Sequence, residues 1–264
     1  MHMTDWDDAY ANGPYIDRAD TYPTRWTDTA ETFRQSLGAR AELGLSYGET
    51  TRQAFDLFHP EGPARGTVIF VHGGYWRAFD RSSWSHLAAG PLTRGWAVAM
   101  PSYDLCPDVH IRDITGQIAS ALEAIATRTQ GPISLTGHSA GGHLVARMTD
   151  RALTSEKLAQ RITHVLPISP LADLRPLIRT NLNDDLRLTM DEARAESPVL
   201  MRDVYDLAMT VWVGGGERPA FLDQARWMAN RFDADFVVTH AEHHFNVIDA
   251  LADGQSDMVR RLTS

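Results

Sequence analysis

Short runs of almost wholly apolar residues alternate along this chain with longer stretches in which apolar residues recur every three or four positions. A short apolar run is typical of a strand that is buried on both faces of a parallel sheet. The clearest runs occupy residues 66–72 and 95–101. Further strands are predicted at Pro132 onwards and over residues 53–60, 162–169, 207–213 and 236–239.

The helical pattern is clearest between the second and third of these apolar runs. Apolar residues there step by three or four positions, at Ile111, Ile114, Ile118, Leu122 and Ile125. This spacing places them on one face of a long amphipathic helix. Further helices are predicted over residues 26–37, 82–93, 219–232 and 245–262. Strands that alternate with helices predict an α/β fold, with a mostly parallel sheet covered on both faces and ligands beyond the carboxyl ends of its strands.

Two stretches depart from this alternation within what we predict to be a single domain over residues 1–264. Residues 1–50 are aromatic and polar, and they predict a strap that packs over the domain or roofs its pocket. Residues 172–201 predict two short helices, one of which begins with a capping box of Thr189 and Glu192. They form either a small cap over the site or ordinary surface helices.

The composition of the chain indicates which partners are unsuitable and in which cellular compartment the protein is expected. A net charge of −9 argues against nucleic acid and anionic membranes as partners. Cys106 is the only cysteine, so no internal disulfide can form, which indicates a reducing compartment. The acidic N-terminus lacks the apolar core of a signal peptide, and no apolar run approaches the roughly 18 residues of a membrane span. We therefore expect a cytoplasmic protein.

A candidate nucleophile stands between an apolar run and a helical stretch. Gly137-His138-Ser139-Ala140-Gly141 fits the Gly-x-Ser-x-Gly pattern of the nucleophile elbow of α/β-hydrolases. In that turn the serine occupies strained backbone that exposes its hydroxyl, and small residues on either side avoid the neighbouring strand and helix. The following helix points its N-terminal amides at the site. Ser139 is therefore the predicted nucleophile.

A serine hydroxyl needs a base, and the base needs a third group to orient it. In this fold the chain order is Ser, then Asp or Glu, then His after the last strand. His244 is the predicted base, with its neighbour His243 as the alternative. Glu217 is the only carboxylate in the turn after residues 207–213, and it is the predicted acid. Asp173 is the alternative acid, although it also suits a helix cap.

The oxyanion of acyl transfer needs two or three N–H donors. One donor is expected from Ala140, next to the nucleophile. The others are expected from the glycine-containing loop after residues 66–72, where Gly74 and Tyr75 are the main candidates and Gly73 a further one. Tyr75 and Trp76 are predicted to form an aromatic wall beside the acyl group. The histidines and the single cysteine show no metal-ligand spacing, so neither a metal nor a cofactor is predicted.

Several segments together resemble one branch of the α/β-hydrolases, the arylformamidases (kynurenine formamidases), which are close to the hormone-sensitive-lipase-like esterases. The resemblance covers most of the chain and rests on the glycine loop at residues 72–76, the elbow, His244-Phe245 and residues 22–26, 102–107, 183–189 and 197–198. It implies hydrolysis of N-formyl-L-kynurenine to kynurenine and formate without a cofactor. The family usually has Asp at the acid position, followed by Ser-Pro-Glu-Phe, whereas this chain has Glu217-Arg218-Pro219-Ala220-Phe221. A glutamate is one methylene longer, so the local turn must differ.

The leading hypothesis is a serine hydrolase that acts on a small aryl formamide. A carboxylesterase for short-chain esters is the alternative within the same class. A non-catalytic binding module with a hydrolase fold is a third hypothesis, but such a module has no need of Ser139, Glu217 and His244 together. The expected partner is a small-molecule ester or formamide substrate, and the sequence leaves a homodimer open.

Overall fold

The computed structural model describes residues 5–264, and within this range eight strands form one sheet. The strands are β1 (Ala41–Ser46), β2 (Ala54–Phe58), β3 (Thr67–Val71), β4 (Ala97–Pro101), β5 (Ile133–His138), β6 (Ile162–Ile168), β7 (Thr210–Gly214) and β8 (Asp235–Thr239). Their order is β1-β2-β4-β3-β5-β6-β7-β8. The pairs β1–β2 and β2–β4 are antiparallel, and the other five pairs are parallel.

Ten α-helices occur in the same residue range. They are α1 (Trp6–Tyr10), α2 (Tyr22–Leu37), α3 (Ala89–Thr93), α4 (Ile111–Arg128), α5 (Ala140–Arg147), α6 (Glu156–Ala159), α7 (Asn183–Leu186), α8 (Met190–Ala195), α9 (Pro219–Phe232) and α10 (Asp257–Leu262). None of the helices in the described range is both long and apolar enough to span a membrane.

The sheet separates two hydrophobic cores, because successive side chains of a strand point to opposite faces. In β3, Val68 and Phe70 belong to one core, which α2, α3 and α10 cover. Ile69 and Val71 belong to the other core, which α4, α5 and α9 cover. The predicted fold, a mostly parallel sheet with helices on both faces, is therefore confirmed.

Three of the differences between the structure and the predicted elements have a physical reason. Strand β1 was not predicted, because it lies at the sheet edge, where mostly exposed side chains give a weak apolar signal. The helix predicted over residues 82–93 is two 3₁₀ turns followed by α3, since Pro91 lacks an amide hydrogen and fits only the first turn of a helix. The helix predicted over residues 245–262 is a 3₁₀ segment followed by α10, whose first turn is capped by Ser256.

The two irregular stretches pack against the sheet-covering helices. At the N-terminus, α1 contacts α9, and α2 packs against the 3₁₀ turns that precede α3. Residues 172–201 contain α7 and α8 between two 3₁₀ turns. Glu196 fastens this stretch to the core: its side chain accepts a hydrogen bond from Thr115 of α4 at 2.7 Å, and its carbonyl accepts one from Nε2 of His143 of α5 at 2.7 Å.

Candidate active site

Ser139 stands at a sharp turn between β5 and α5. Its φ of +56° and ψ of −114° are strained for a residue other than glycine. The turn is so tight that a Cβ atom at Gly137 would lie 2.4 Å from the carbonyl oxygen of Gly141. A Cβ atom at Gly141 would lie 1.9 Å from the carbonyl oxygen of Val71. Both glycines of the motif are therefore required by the backbone packing around Ser139.

His244 follows β8, and its ring is packed between two other rings. The ring centroids of Phe221 and His138 lie 4.4 Å and 4.6 Å from its own. Nδ1 of His244 hydrogen-bonds to Oε2 of Glu217 at 2.6 Å. Because a carboxylate can only accept, Nδ1 donates in this bond, and Nε2 is the ring nitrogen available to act as a general base.

Both carboxylate oxygens of Glu217 are engaged. While Oε2 accepts from His244, Oε1 accepts from the amide of Gly214 at 2.9 Å and from the hydroxyl of Ser169. Glu217 lies in the turn between β7 and α9, where its side chain has no solvent exposure. Ser169 could not be identified from the sequence, because its approach to Glu217 depends on how the ends of β6 and β7 lie side by side.

The alternative base and the alternative acid are engaged in other contacts. Nε2 of His243 lies 3.1 Å from the hydroxyl of Tyr22, and its Nδ1 accepts a hydrogen bond from the amide of Phe245 at 3.1 Å. The carboxylate of Asp173 accepts from Nε of Arg175 at 2.9 Å and from its Nη2 at 2.6 Å. The hydrogen bonds therefore pair His244 with Glu217, and neither His243 nor Asp173 takes part in that pair.

The loop after β3 turns its backbone through an unusual conformation. Gly74, Tyr75 and Trp76 all have positive φ, of +104°, +49° and +56°. Within residues 5–264, the amides of Gly74, Tyr75 and Ala140 donate to no other group. Free amides in strained, closely packed backbone are what an oxyanion site requires. A Cβ atom at Gly73 would lie 2.8 Å from the carbonyl oxygen of His138, so this loop passes close to the elbow.

The structure does not place Trp76 where the sequence analysis expected it. Its side chain has no solvent exposure and packs edge-on against His143 of α5, with ring centroids 5.1 Å apart. It is absent from the residues that line the cavity beside Ser139, whereas Tyr75 is one of them. The expectation that Trp76 forms a substrate wall is wrong, because the backbone turn directs this large apolar ring into the core.

Ser139 and His244 line one cavity of about 470 Å³. Most of its wall is apolar or aromatic, from Tyr10, Pro23, Trp26, Tyr75, Phe79, Trp84 and Phe245. Polar side chains come from Asp7, Asn12, Arg77, Thr180 and Asn181. Of these residues, only Tyr75 is predicted from the sequence as a substrate contact, since the others converge from segments that are far apart in the chain.

The N-terminal segment is held by side-chain contacts next to Glu217. Arg218, which follows Glu217, forms an ion pair with Asp8 and places its guanidinium 3.6 Å from the ring centroid of Tyr15. Tyr10 is buried, and its carbonyl accepts a hydrogen bond from the hydroxyl of Tyr75 at 2.7 Å. Burial raises the pKa of Tyr75 well above 10.0, so this hydroxyl stays neutral. The part of the cavity wall that this segment forms therefore contacts both the turn that carries Glu217 and the loop after β3.

His138, between Gly137 and the nucleophile, also lines the cavity. Burial, reinforced by the nearby His244, holds the pKa of His138 well below its ordinary value of 6.5. Its Nε2 has no hydrogen-bond partner in the described part of the chain. His138 is therefore neutral and places no positive charge beside His244.

Known families and relatives match this chain over most of its length. The profile of the alpha/beta hydrolase fold family matches residues 68–253. Kynurenine formamidase from Drosophila melanogaster is 31% identical over an alignment of 239 residues, and the match covers 83% of this chain and 79% of the relative. Kynurenine formamidase from Salmo salar is 26% identical over an alignment of 253 residues, and the match covers 89% of this chain and 84% of the relative.

Solved structures match the fold as a whole. The crystal structure of a candidate thioesterase from Silicibacter sp. TM1040 has a TM-score of 0.97 and 59% identity, and the match covers 99% of this chain and 100% of that one. Esterase B from Lactobacillus rhamnosis, crystallised with an inhibitor, has a TM-score of 0.69 with 94% of each chain covered. Its identity is 18%, so this second likeness concerns the fold alone.

Proposed function

The chain belongs to the α/β-hydrolase family, in which it is an arylformamidase-like hydrolase, and on that premise we propose that it cleaves a small aryl formamide such as N-formyl-L-kynurenine through an acyl-enzyme on Ser139. One observation carries the proposal: Ser139 lines an aromatic cavity together with His244, whose ring is bonded to Glu217. A protein that only binds a ligand has no need of this combination.

In the first step, Nε2 of His244 takes the hydroxyl proton of Ser139 while the Ser139 oxygen bonds to the formyl carbon. Glu217 stabilises the imidazolium that forms. The carbonyl electron pair moves onto oxygen and gives a tetrahedral oxyanion. Its hydrogen-bond donors are the backbone amides of Gly74, Tyr75 and Ala140, with Gly73 as a further candidate.

In the second step, the bond between carbon and nitrogen breaks. An amine leaves readily only when it is protonated, so His244 passes its proton to the nitrogen. Water then attacks the formyl ester on Ser139, with His244 again as the base, and formate is released. His244 then returns the proton to the Ser139 oxygen, so the sum is one formamide and one water converted to an amine and formic acid, which ionises to formate and a proton in solution.

The cavity and the relatives both support a formamide with an aromatic leaving group. A formyl carbon carries only hydrogen, so the acyl side needs little room. Rings such as Tyr75, Phe79 and Phe245 offer faces and edges against which an aryl group packs favourably. The relatives from Drosophila melanogaster and Salmo salar are named as kynurenine formamidases.

The deciding experiment compares kcat/KM for N-formylkynurenine and phenyl acetate on one enzyme preparation. We expect turnover of the formamide, and we expect an N-acetyl aryl amine to be left intact, because a methyl group makes the carbonyl less electrophilic and an amine leaves less easily than a phenoxide. Absence of formamide turnover, together with rapid ester hydrolysis, would refute the formamidase proposal and leave an esterase.

A second candidate function is hydrolysis of short-chain esters or thioesters. It is favoured by the 59% identity with the candidate thioesterase from Silicibacter sp. TM1040. An alkoxide or thiolate leaves more easily than an amine, so the same Ser139 and His244 would suffice. Acetate and hexanoate esters of p-nitrophenol, and the acetate thioester of thiophenol, form the test series. A kcat/KM for one of these that exceeds the value for N-formylkynurenine by orders of magnitude would favour this candidate.

A further inference from the structure

Ser169 occupies an unusual position directly after β6. Its φ is +48°, in the left-handed region that favours glycine, and it has no solvent exposure. Its amide donates to the carbonyl of Trp212 in β7 at 2.7 Å. Its hydroxyl donates to Oε1 of Glu217. The residue therefore joins the end of β6 to both β7 and the turn that carries the proposed acid.

Glycine would adopt this backbone conformation without strain, whereas serine cannot. When a buried residue other than glycine is held in strained backbone, its side chain is expected to have a role that offsets the cost of the strain. Among residues 5–264, the hydroxyl of Ser169 hydrogen-bonds to one group, the carboxylate that orients His244. The strain is therefore coupled to the placement of Glu217.

We propose that Ser169 is a positioning residue that holds the Glu217 carboxylate in the orientation His244 requires, which extends the proposed relay of Ser139, His244 and Glu217 by a fourth member. The inference rests on the proposed function. A glutamate has one more rotatable bond than the aspartate usual in the arylformamidases, so its carboxylate needs more restraint. With Ser169 and Gly214 both donating to Oε1, rotation that would remove Oε2 from His244 costs two hydrogen bonds.

Ser169 exchanges no proton in this role and does not reach the substrate. It is not among the residues that line the cavity. Loss of its hydroxyl should therefore lower kcat, which depends on the orientation of His244, and leave KM unchanged. A residue that merely supported the cavity wall would alter KM instead.

The test uses Ser169→Ala, which keeps the strain without the hydroxyl, and Ser169→Gly, which removes both. Ser134→Ala is the matched control, because Ser134 is a buried serine on the neighbouring strand β5. With p-nitrophenyl acetate as substrate, we expect kcat to fall about 10-fold in both Ser169 variants, as for loss of one hydrogen bond to a charged group. We expect KM to be unchanged, and Ser134→Ala to keep both constants.

A spectroscopic measurement on the same variants does not depend on turnover. The proton shared by His244 and Glu217 should give a far-downfield NMR resonance in the wild type, and Glu217→Gln, which should lose it, identifies the signal. We expect this resonance to broaden or vanish in both Ser169 variants and to persist in Ser134→Ala. A wild-type kcat in Ser169→Gly, or an unchanged resonance, would overturn the inference. Full activity of Ser139→Ala would instead overturn the proposed function itself, so the two failures are distinguishable.

Discussion

Nδ1 of His244 and Oε2 of Glu217 lie 2.6 Å apart at a place where the side chains are 5% and 0% exposed. Removal of one partner from such a buried pair leaves the other without compensation for its desolvation. The pair also fixes which ring nitrogen carries the proton. Substitution of single residues should therefore show what each one contributes to activity.

The first prediction concerns the nucleophile. Ser139→Ala should lower kcat by about 10⁴-fold or more, because only the oxyanion site and substrate binding remain to accelerate the reaction. Thermal unfolding should show an intact fold. A fluorophosphonate probe should label the wild type at Ser139 alone, as peptide mass mapping would show. Labelling at another serine, or near-normal turnover by the variant, would contradict the assignment.

The second prediction separates two adjacent histidines. His244→Ala should cost about as much activity as Ser139→Ala, since the two residues act as a unit. His243→Ala should cost far less, because that ring contacts Tyr22 and the backbone of Phe245 rather than Glu217. Steady-state kinetics of the two variants with one substrate measure the difference. The reverse order would move the base to His243.

The third prediction separates two carboxylates. Glu217→Gln should keep the local geometry but lose the charge that stabilises the imidazolium, so kcat should fall by roughly 10²–10⁴-fold. Asp173→Asn is the matched control, because Asp173 is a buried carboxylate that pairs with Arg175. We expect its kcat to be near that of the wild type. An inactive Asp173→Asn beside an active Glu217→Gln would place the acid after β6.

The pairing of Glu217 with His244 could be predicted because chain order and turn position are properties of the sequence. Short, almost wholly apolar runs likewise predicted strands β3 and β4, in which every residue is buried. Edge strand β1 could not be predicted in this way, because only a strand with a buried face carries a regular apolar signal.

Two features of the site depend on three-dimensional packing that no local pattern records. The direction of the Trp76 ring is set by three consecutive residues of positive φ, and aromatic rings are equally common in cores and in pockets. The contact between Ser169 and Glu217 joins residues 48 positions apart and depends on the alignment of two strand ends. Sequence patterns therefore located the residues of the candidate site better than the surfaces around them.

The last prediction concerns stability at acid pH. Burial lowers the pKa of His72 to about 4 and that of His143 to about 3, and it holds the pKa of His138 well below 6.5. In the unfolded chain these rings titrate near 6.5, so between that pH and about 4 the unfolded state binds more protons. The free energy of unfolding should therefore fall as the pH is lowered, by about 2 kcal/mol each for His72 and His143 between pH 7 and pH 5. Urea unfolding at several pH values measures this slope, and His143→Gln, which cannot titrate, should remove about 2 kcal/mol of the fall between pH 7 and pH 5. A slope near zero in the wild type, or an equal slope in the variant, would show that these rings are not neutral in the folded protein.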